Sequence, residues 1–236
     1  MKFGVVIFPG SNCDADCHDA ILAVTRQEVR YVWHEETGIS DIDCIVLPGG
    51  FSYGDYLRCG AVARFSPVMG EIVRHAAVGR FVIGICNGFQ VLTEAGLLPG
   101  ALYRNDCLKF VCTPQPLRVE RTDLPFTHFY APRQVVDFPI AHGEGRFFAD
   151  PETLARIEGE GQVVFRYCTP DGQVTAEANP NGSLHNIAGI CNAGGNVLGL
   201  MPHPERRCDR LTGGTDGKKL FKGLVESLLL RSISRR

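Results

Sequence analysis

The chain of 236 residues is long enough for one sizeable α/β domain and short of two. With 44% hydrophobic and 21% charged residues it has the make-up of a folded globular protein, which excludes a disordered chain. A formal net charge of −2, with no long Lys/Arg run, argues against nucleic acid or an anionic membrane as the main partner; only the C-terminal RSISRR is basic, and it reads as a solvated tail.

No apolar stretch reaches the roughly 20 residues that span a bilayer. The opening MKFGVVIFPGSNCD is too short in its apolar part for a signal-peptide core, so a cytoplasmic protein is expected, with KFGVVIF (2–8) as its first strand. Pro9-Gly10 and polar residues then lead into a helix over 14–27, followed by strands at 29–33 and 44–48. GGFSYGDYLRCGA (49–61) is a Gly-rich loop, and PVMGEIVRHAAV (67–78) has helical spacing with Pro67 at its start. FVIGI (81–85) is apolar almost throughout, as a strand buried on both faces must be, and after Cys86 a helix runs to about Ala95, ended by Gly96.

This alternation predicts an α/β fold of three layers, a mostly parallel sheet flanked by helices. Between 105 and 190 the character changes to short β-like runs, LKFVC (108–112), VVFRYC (163–168) and LHNIAGIC (184–191), with one helix near 151–158. NVLGLMP (196–202) is a further core strand, and residues 216–232 form a closing amphipathic helix. The simplest organisation is one domain, 1–236, carrying a β-rich insertion.

Ten cysteines in so core-rich a chain call for no disulfide framework, and without a C-x-x-C pair no metal site is expected. Most read as small apolar fillers. Cys86 is the exception. GICNG (84–88) has the G-x-nucleophile-x-G form of a nucleophile elbow, in which a sharp strand-to-helix turn lifts the nucleophile to the sheet edge. The helix start favours the thiolate and points backbone N–H groups at a developing oxyanion. The plain alternative is a buried cysteine at an ordinary strand end.

MPHPER (201–206) follows a predicted strand, so it too should reach the carboxyl edge of the sheet, where α/β proteins build their sites. His203 can take the thiol proton and Glu205 can orient the imidazole, the logic of an activated nucleophile; a solvated surface turn is the plain alternative. The loop after the third strand presents backbone N–H groups. Gly50 there can give a second oxyanion donor beside the N–H of Asn87.

Taken together, these stretches resemble the class I (triad-type) glutamine amidotransferases. FPGSNCDAD (8–16), GGFSYGDYLRCGA, GICNGFQVLTEAGLLPG (84–100), RN with KFVC (104–112), AHGEGRF (141–147) and GNVLGLMPHPER (195–206) narrow the likeness. They resemble the family of small glutaminase subunits of bacterial phosphoribosylformylglycinamidine synthases. The resemblance implies Cys86 as nucleophile, His203 as general base and acid, Glu205 as orienting carboxylate, Gly50 and Asn87 as oxyanion hole, and Gln90 as a contact to glutamine. Cys59 and Cys107 depart from the family pattern, at positions expected to lie away from the chemistry, and His142, Glu144 and Arg146 either line the site or face a partner.

The resemblance also implies that ammonia passes to a separate synthetase subunit of purine biosynthesis, with or without a small bridging subunit. ATP and magnesium belong to that partner, and no cofactor to this chain. Indeed TGGTDGKK (212–219) misses the phosphate-loop pattern, its glycines one residue too close and Lys219 standing where Ser or Thr is needed. Two rivals, a stand-alone cysteine hydrolase and a catalytically silent subunit, have less support. The first would more commonly carry His after the cysteine, where Asn87 stands, and the second would not keep all three reacting groups.

Overall fold

Four strands and three helices alternate over the first 94 residues of the computed structural model, which describes residues 1–234: β1 (Lys2–Ile7), α1 (Asp14–Thr25), β2 (Glu28–Trp33), β3 (Cys44–Leu47), α2 (Pro67–Ala77), β4 (Phe81–Ile85) and α3 (Asn87–Glu94). Then come β5 (Ala101–Tyr103), β6 (Val111–Val119), β7 (Val135–His142), β8 (Arg146–Phe148), α4 (Pro151–Gly159), β9 (Val163–Tyr167), β10 (Ile187–Cys191), β11 (Val197–Leu200) and α5 (Gly217–Ser234). The basic RSISRR, apart from helical backbone up to Ser234, lies outside the described residues. No helix is long and apolar enough to cross a membrane among the described residues.

The main sheet has nine strands in the order β2-β1-β3-β4-β11-β10-β9-β6-β7. From β2 to β11 neighbouring strands are parallel, and from β11 to β7 they are antiparallel. The helix-flanked parallel layer is therefore as expected, but the β-rich segment extends the same sheet antiparallel. Among the described strands, β5 and β8 pair apart from it in a two-stranded sheet. Elements begin where local chemistry allows. Pro67 opens α2 from an extended Ser66, and Asp150 caps α4 by accepting from the N–H groups of Glu152 and Thr153.

The centre is fixed by β4 and β11. Phe81, Val82, Ile83 and Ile85 of β4 and Val197, Leu198 and Leu200 of β11 are fully buried, each worth about 1.5–3 kcal/mol against exposure. Their register, Leu200 beside Ile85 and Leu47 beside Gly84, ends three parallel strands together. Cys86, the 201–206 turn and the loop after β3 consequently emerge along one edge.

The middle of the chain departs from expectation. Of LKFVC only Val111 and Cys112 are strand, and LHNIAGIC opens with a 3-10 turn, Leu184–Asn186, before β10. No strand was expected at 135–142. There β7 alternates buried and half-buried positions and pairs along β6, with Pro139 opposite Pro114.

Candidate active site

Cys86 sits between β4 and α3 with φ 51° and ψ −108°, a conformation that residues other than glycine rarely hold. The flanking glycines make the turn sterically possible. A methyl group on Gly84 would lie 2.6 Å from the Gly88 carbonyl, and one on Gly88 would lie 2.0 Å from the Leu47 carbonyl oxygen. The elbow is thus locked between β3 and α3, while the Cys86 N–H donates to Leu200 O at 2.8 Å. Its thiol donates to the Ala141 carbonyl at 3.7 Å.

His203 is 1% exposed, its backbone N–H fixed on Pro139 O at 2.8 Å and its Nδ1 2.6 Å from Glu205 Oε1, a carboxylate that is itself buried. Burial opposes the charged imidazole. The Glu205 charge, the Cys86 charge and contacts to the Cys13 and Cys86 thiols outweigh it and hold His203 well above its ordinary pKa of 6.5. Nε2 has no hydrogen bond of full geometry among the described residues, which leaves it available to a reacting proton. Cys86, His203 and Cys13 converge on Gly49. A methyl group there would meet His203 Cε1 at 2.8 Å, Cys13 Sγ at 3.1 Å and Cys86 Cβ at 3.4 Å.

Gly50 holds φ 142°, a conformation that side chains avoid, and a Cβ would lie 2.6 Å from Asn12 N. The Gly49 carbonyl accepts from the N–H groups of Asn12 and Cys13, so the N–H of Gly50 in the same peptide points the other way. Asn87 is the first residue of α3, where N–H groups have no acceptor within the helix. Its side chain ties the elbow to the Gly-rich loop. Oδ1 accepts from Ser52 N at 3.0 Å, and Nδ2 donates to Asp55 Oδ1 and Gln90 Oε1.

A cavity of about 200 Å³ opens beside the thiol, with Gly50, Asp55, Cys86, Gln90, His142 and Glu144 in its wall. Gln90 lines this cavity, and both ends of its amide are engaged by protein partners. Oε1 accepts from Asn87, and Nε2 donates to the Glu144 carbonyl at 2.6 Å. His142 and Glu144 line the site, whereas Arg146 lies outside the lining and pairs with Asp106. Cys59, expected to lie clear of the chemistry, is also in the wall.

Burial pushes the Cys168 thiol up to about 11 and that of Cys208 to about 12, and raises Cys17, Cys44 and Cys191 as well, the behaviour of inert fillers. Cys107 and Cys112 are exposed instead. Cys13 is the residue that sequence reasoning passed over. Arg206 Nη2 donates to its sulfur at 3.1 Å and Arg206 Nε to Asp16 at 3.3 Å, so loop 201–206 is clamped to the start of α1. Donor atoms of Cys13, His203 and Glu205 lie within 4.8 Å of one another, but His203 and Glu205 are bonded to each other and Arg206 occupies the sulfur. The group is a hydrogen-bonded cluster rather than a metal cage.

Residues 1–219 match the model of the CobB/CobQ-like glutamine amidotransferase domain. The chain is 62% identical over 229 residues to the phosphoribosylformylglycinamidine synthase subunit PurQ of Gloeobacter violaceus, covering 97% of this chain and 99% of that one. Against the PurQ of Acaryochloris marina it is 58% identical, covering 99% and 100%. Among solved structures, PurLQS from Thermotoga maritima has a chain superposing with TM-score 0.86 at 43% identity, over 96% of this chain and 98% of that. A putative GMP synthase protein from Thermoplasma acidophilum shares the fold alone, with TM-score 0.68 at 14% identity over 100% of this chain and 98% of that.

Proposed function

The chain belongs to the CobB/CobQ-like glutamine amidotransferase family, and on that premise we infer that it is the glutaminase subunit of a phosphoribosylformylglycinamidine synthase, the enzyme for which its near full-length relatives are named. The observation that carries the reading is the strained Cys86 set beside the buried His203–Glu205 pair at the wall of a small cavity.

The chemistry follows from the residues. Cys86 loses its proton to His203 and attacks the side-chain amide carbon of glutamine, and the N–H groups of Gly50 and Asn87 receive the oxyanion. His203, its imidazolium stabilised by Glu205, returns the proton to the departing ammonia. Water activated by His203 then cleaves the thioester, and glutamate leaves. Gln90, in the cavity wall, contacts the bound glutamine, and its bond to the Glu144 carbonyl helps shape the pocket.

Residues 1–236 work as one amidotransferase domain, in keeping with the continuous nine-stranded sheet. The chain acts in the cytoplasm and passes ammonia to a synthetase subunit, with or without a small bridging subunit. That synthetase uses ATP and magnesium to convert formylglycinamide ribonucleotide to formylglycinamidine ribonucleotide, and no cofactor is assigned to this chain. The isolated chain is slow and the loaded synthetase accelerates it. Supporting this, Tyr53, Asp55 and Leu57, in the loop that carries Gly50, all hold positive φ and can be re-set by a partner. Glutamate release, measured with and without synthetase, ATP, magnesium and formylglycinamide ribonucleotide, tests the reading. Release that depends on Cys86 and rises with the loaded partner is expected. None from the wild-type chain with an active partner would overturn it.

A further inference from the structure

The segment FPGSNCDAD (8–16) takes no part in the chemistry above, yet it meets the site from two directions. Its backbone holds the oxyanion loop. The N–H groups of Asn12 and Cys13 donate to Gly49 O at 3.2 and 3.1 Å, and the Phe51 N–H donates to Gly10 O at 3.0 Å. Its side chains hold the turn that carries the base. Cys13 is buried and its thiol contacts the His203 imidazole. Arg206 Nη2 donates to the same sulfur at 3.1 Å and Arg206 Nε to Asp16 at 3.3 Å, while Nε stands 3.9 Å from Glu205 Oε1. Burial opposes the Arg206 charge, and the Cys13 sulfur, Glu205 and Asp16 more than offset it.

One guanidinium therefore grips the cysteine that touches the imidazole and stands beside the carboxylate that orients it. Its two bonds differ in weight. Asp16 is half exposed, and a surface pair of that kind contributes about 0–1 kcal/mol. The Cys13 sulfur is buried among the reacting groups, so its bond fixes a position inside the site. Arg206 also stands clear of the substrate. It lines a separate cavity of about 560 Å³, whose wall shares no residue with the cavity beside Cys86. Any effect of Arg206 on glutamine must pass through Cys13, His203 and Glu205.

We propose that Arg206 is a positioning residue for the general base: through Cys13 it seats the His203 imidazole against Cys86, in register with the oxyanion peptide that the same segment holds. The proposal rests on the glutaminase reading above and adds to it how the base is placed. His203 must take the proton of Cys86 and return it to the departing ammonia from one ring position. A ring released from the Cys13 side can tilt about its bond to Glu205. Glutamine would then bind as before, and alignment would be lost in the transition state.

The test is kcat and KM for glutamine in the complex with the synthetase. Arg206→Met keeps the apolar stem and removes the donors; its kcat should fall about 10- to 100-fold with KM within about threefold of wild type. Arg206→Lys, which restores the charge and one donor, should return kcat to within about fivefold. Cys13→Ala should lose at least as much as Arg206→Met, and the double variant no more than Cys13→Ala, because both remove one link. Asp16→Asn should stay within about threefold of wild type. Alkylation of Cys86 by iodoacetamide, read from the mass of its peptide, should slow in step with kcat and needs no glutamine. Urea midpoints report folding, and either single variant carries the test should the other fail to fold. A kcat within about threefold of wild type in a folded Arg206→Met or Cys13→Ala, a loss confined to KM, or losses that multiply in the double variant overturns the assignment. A wild type that releases no glutamate with an active partner strikes the glutaminase reading instead.

Discussion

Replacing Gly49 by alanine tests the active-site geometry with a single methyl group. Gly49 is absent from the positive-φ positions, so its backbone accepts alanine and only the new contacts matter. The added carbon would lie 2.8 Å from His203 Cε1, 3.1 Å from Cys13 Sγ and 3.4 Å from Cys86 Cβ. Carbon atoms rest near 3.5–4.0 Å, so the imidazole must retreat by roughly 0.7–1.2 Å. It has nowhere easy to go, being buried and tied through Nδ1 to Glu205 and through its backbone to Pro139. Such overpacking costs about 1–3 kcal/mol of stability, and a misplacement of this size about 10²-fold in rate. The assay is kcat/KM for glutamine in the complex, with ammonia-driven synthesis as the internal control and a urea midpoint for stability. Gly38→Ala, where a methyl group would meet nothing within 4 Å, is the neutral comparison. Glutamine-dependent rates within about threefold of wild type in Gly49→Ala would refute the convergence of these side chains on one point.

Further consequences concern stability and docking. Gly88→Ala should destabilise by about 3 kcal/mol or prevent folding, because its methyl group would enter the Leu47 carbonyl; an unchanged denaturation midpoint contradicts the locked elbow. His75, buried and donating from Nε2 to Phe81 O at 3.2 Å, is held neutral by burial at about 4, below its ordinary 6.5. Its contribution is present above pH 6.5 and is lost as pH falls through about 4, up to roughly 3 kcal/mol. Urea midpoints from pH 7 to 4 should therefore fall for wild type and fall less steeply for His75→Gln. Leu57, on the loop that carries Gly50 and between the cavity-wall residues Asp55 and Cys59, is 90% exposed and offers an apolar contact to a partner. Leu57→Glu should leave the unfolding free energy from urea titration within about 0.5 kcal/mol of wild type and weaken binding to the synthetase by at least about 10-fold, measured by calorimetry.

The site was readable in the sequence where local sterics dictate chemistry. The elbow needs glycines flanking a nucleophile, and GICNG states that need in five residues. His203 and Glu205 stand two apart after an apolar strand, so their meeting is local, and the parallel register of β4 and β11 brings them to Cys86. What stayed hidden is long-range. Cys13 meets Arg206 across 193 positions, and nothing in PGSNCD distinguishes a thiol beside His203 from a filler. The engagement of the Gln90 amide depends on a carbonyl 54 residues away. Strand β7 and the full length of β6 were obscured by Pro114, Pro116 and Pro139, residues that argue against a strand until opposed prolines are seen to share one ladder.

The most direct test of the central claim is synthesis of formylglycinamidine ribonucleotide by the complex carrying Cys86→Ser, run once with glutamine and once with ammonium chloride. Cys86 as the glutaminase nucleophile predicts loss of glutamine-driven synthesis with ammonia-driven synthesis retained. Glutamine-driven synthesis that persists in Cys86→Ser, or that is lost together with the ammonia-driven rate, would contradict it.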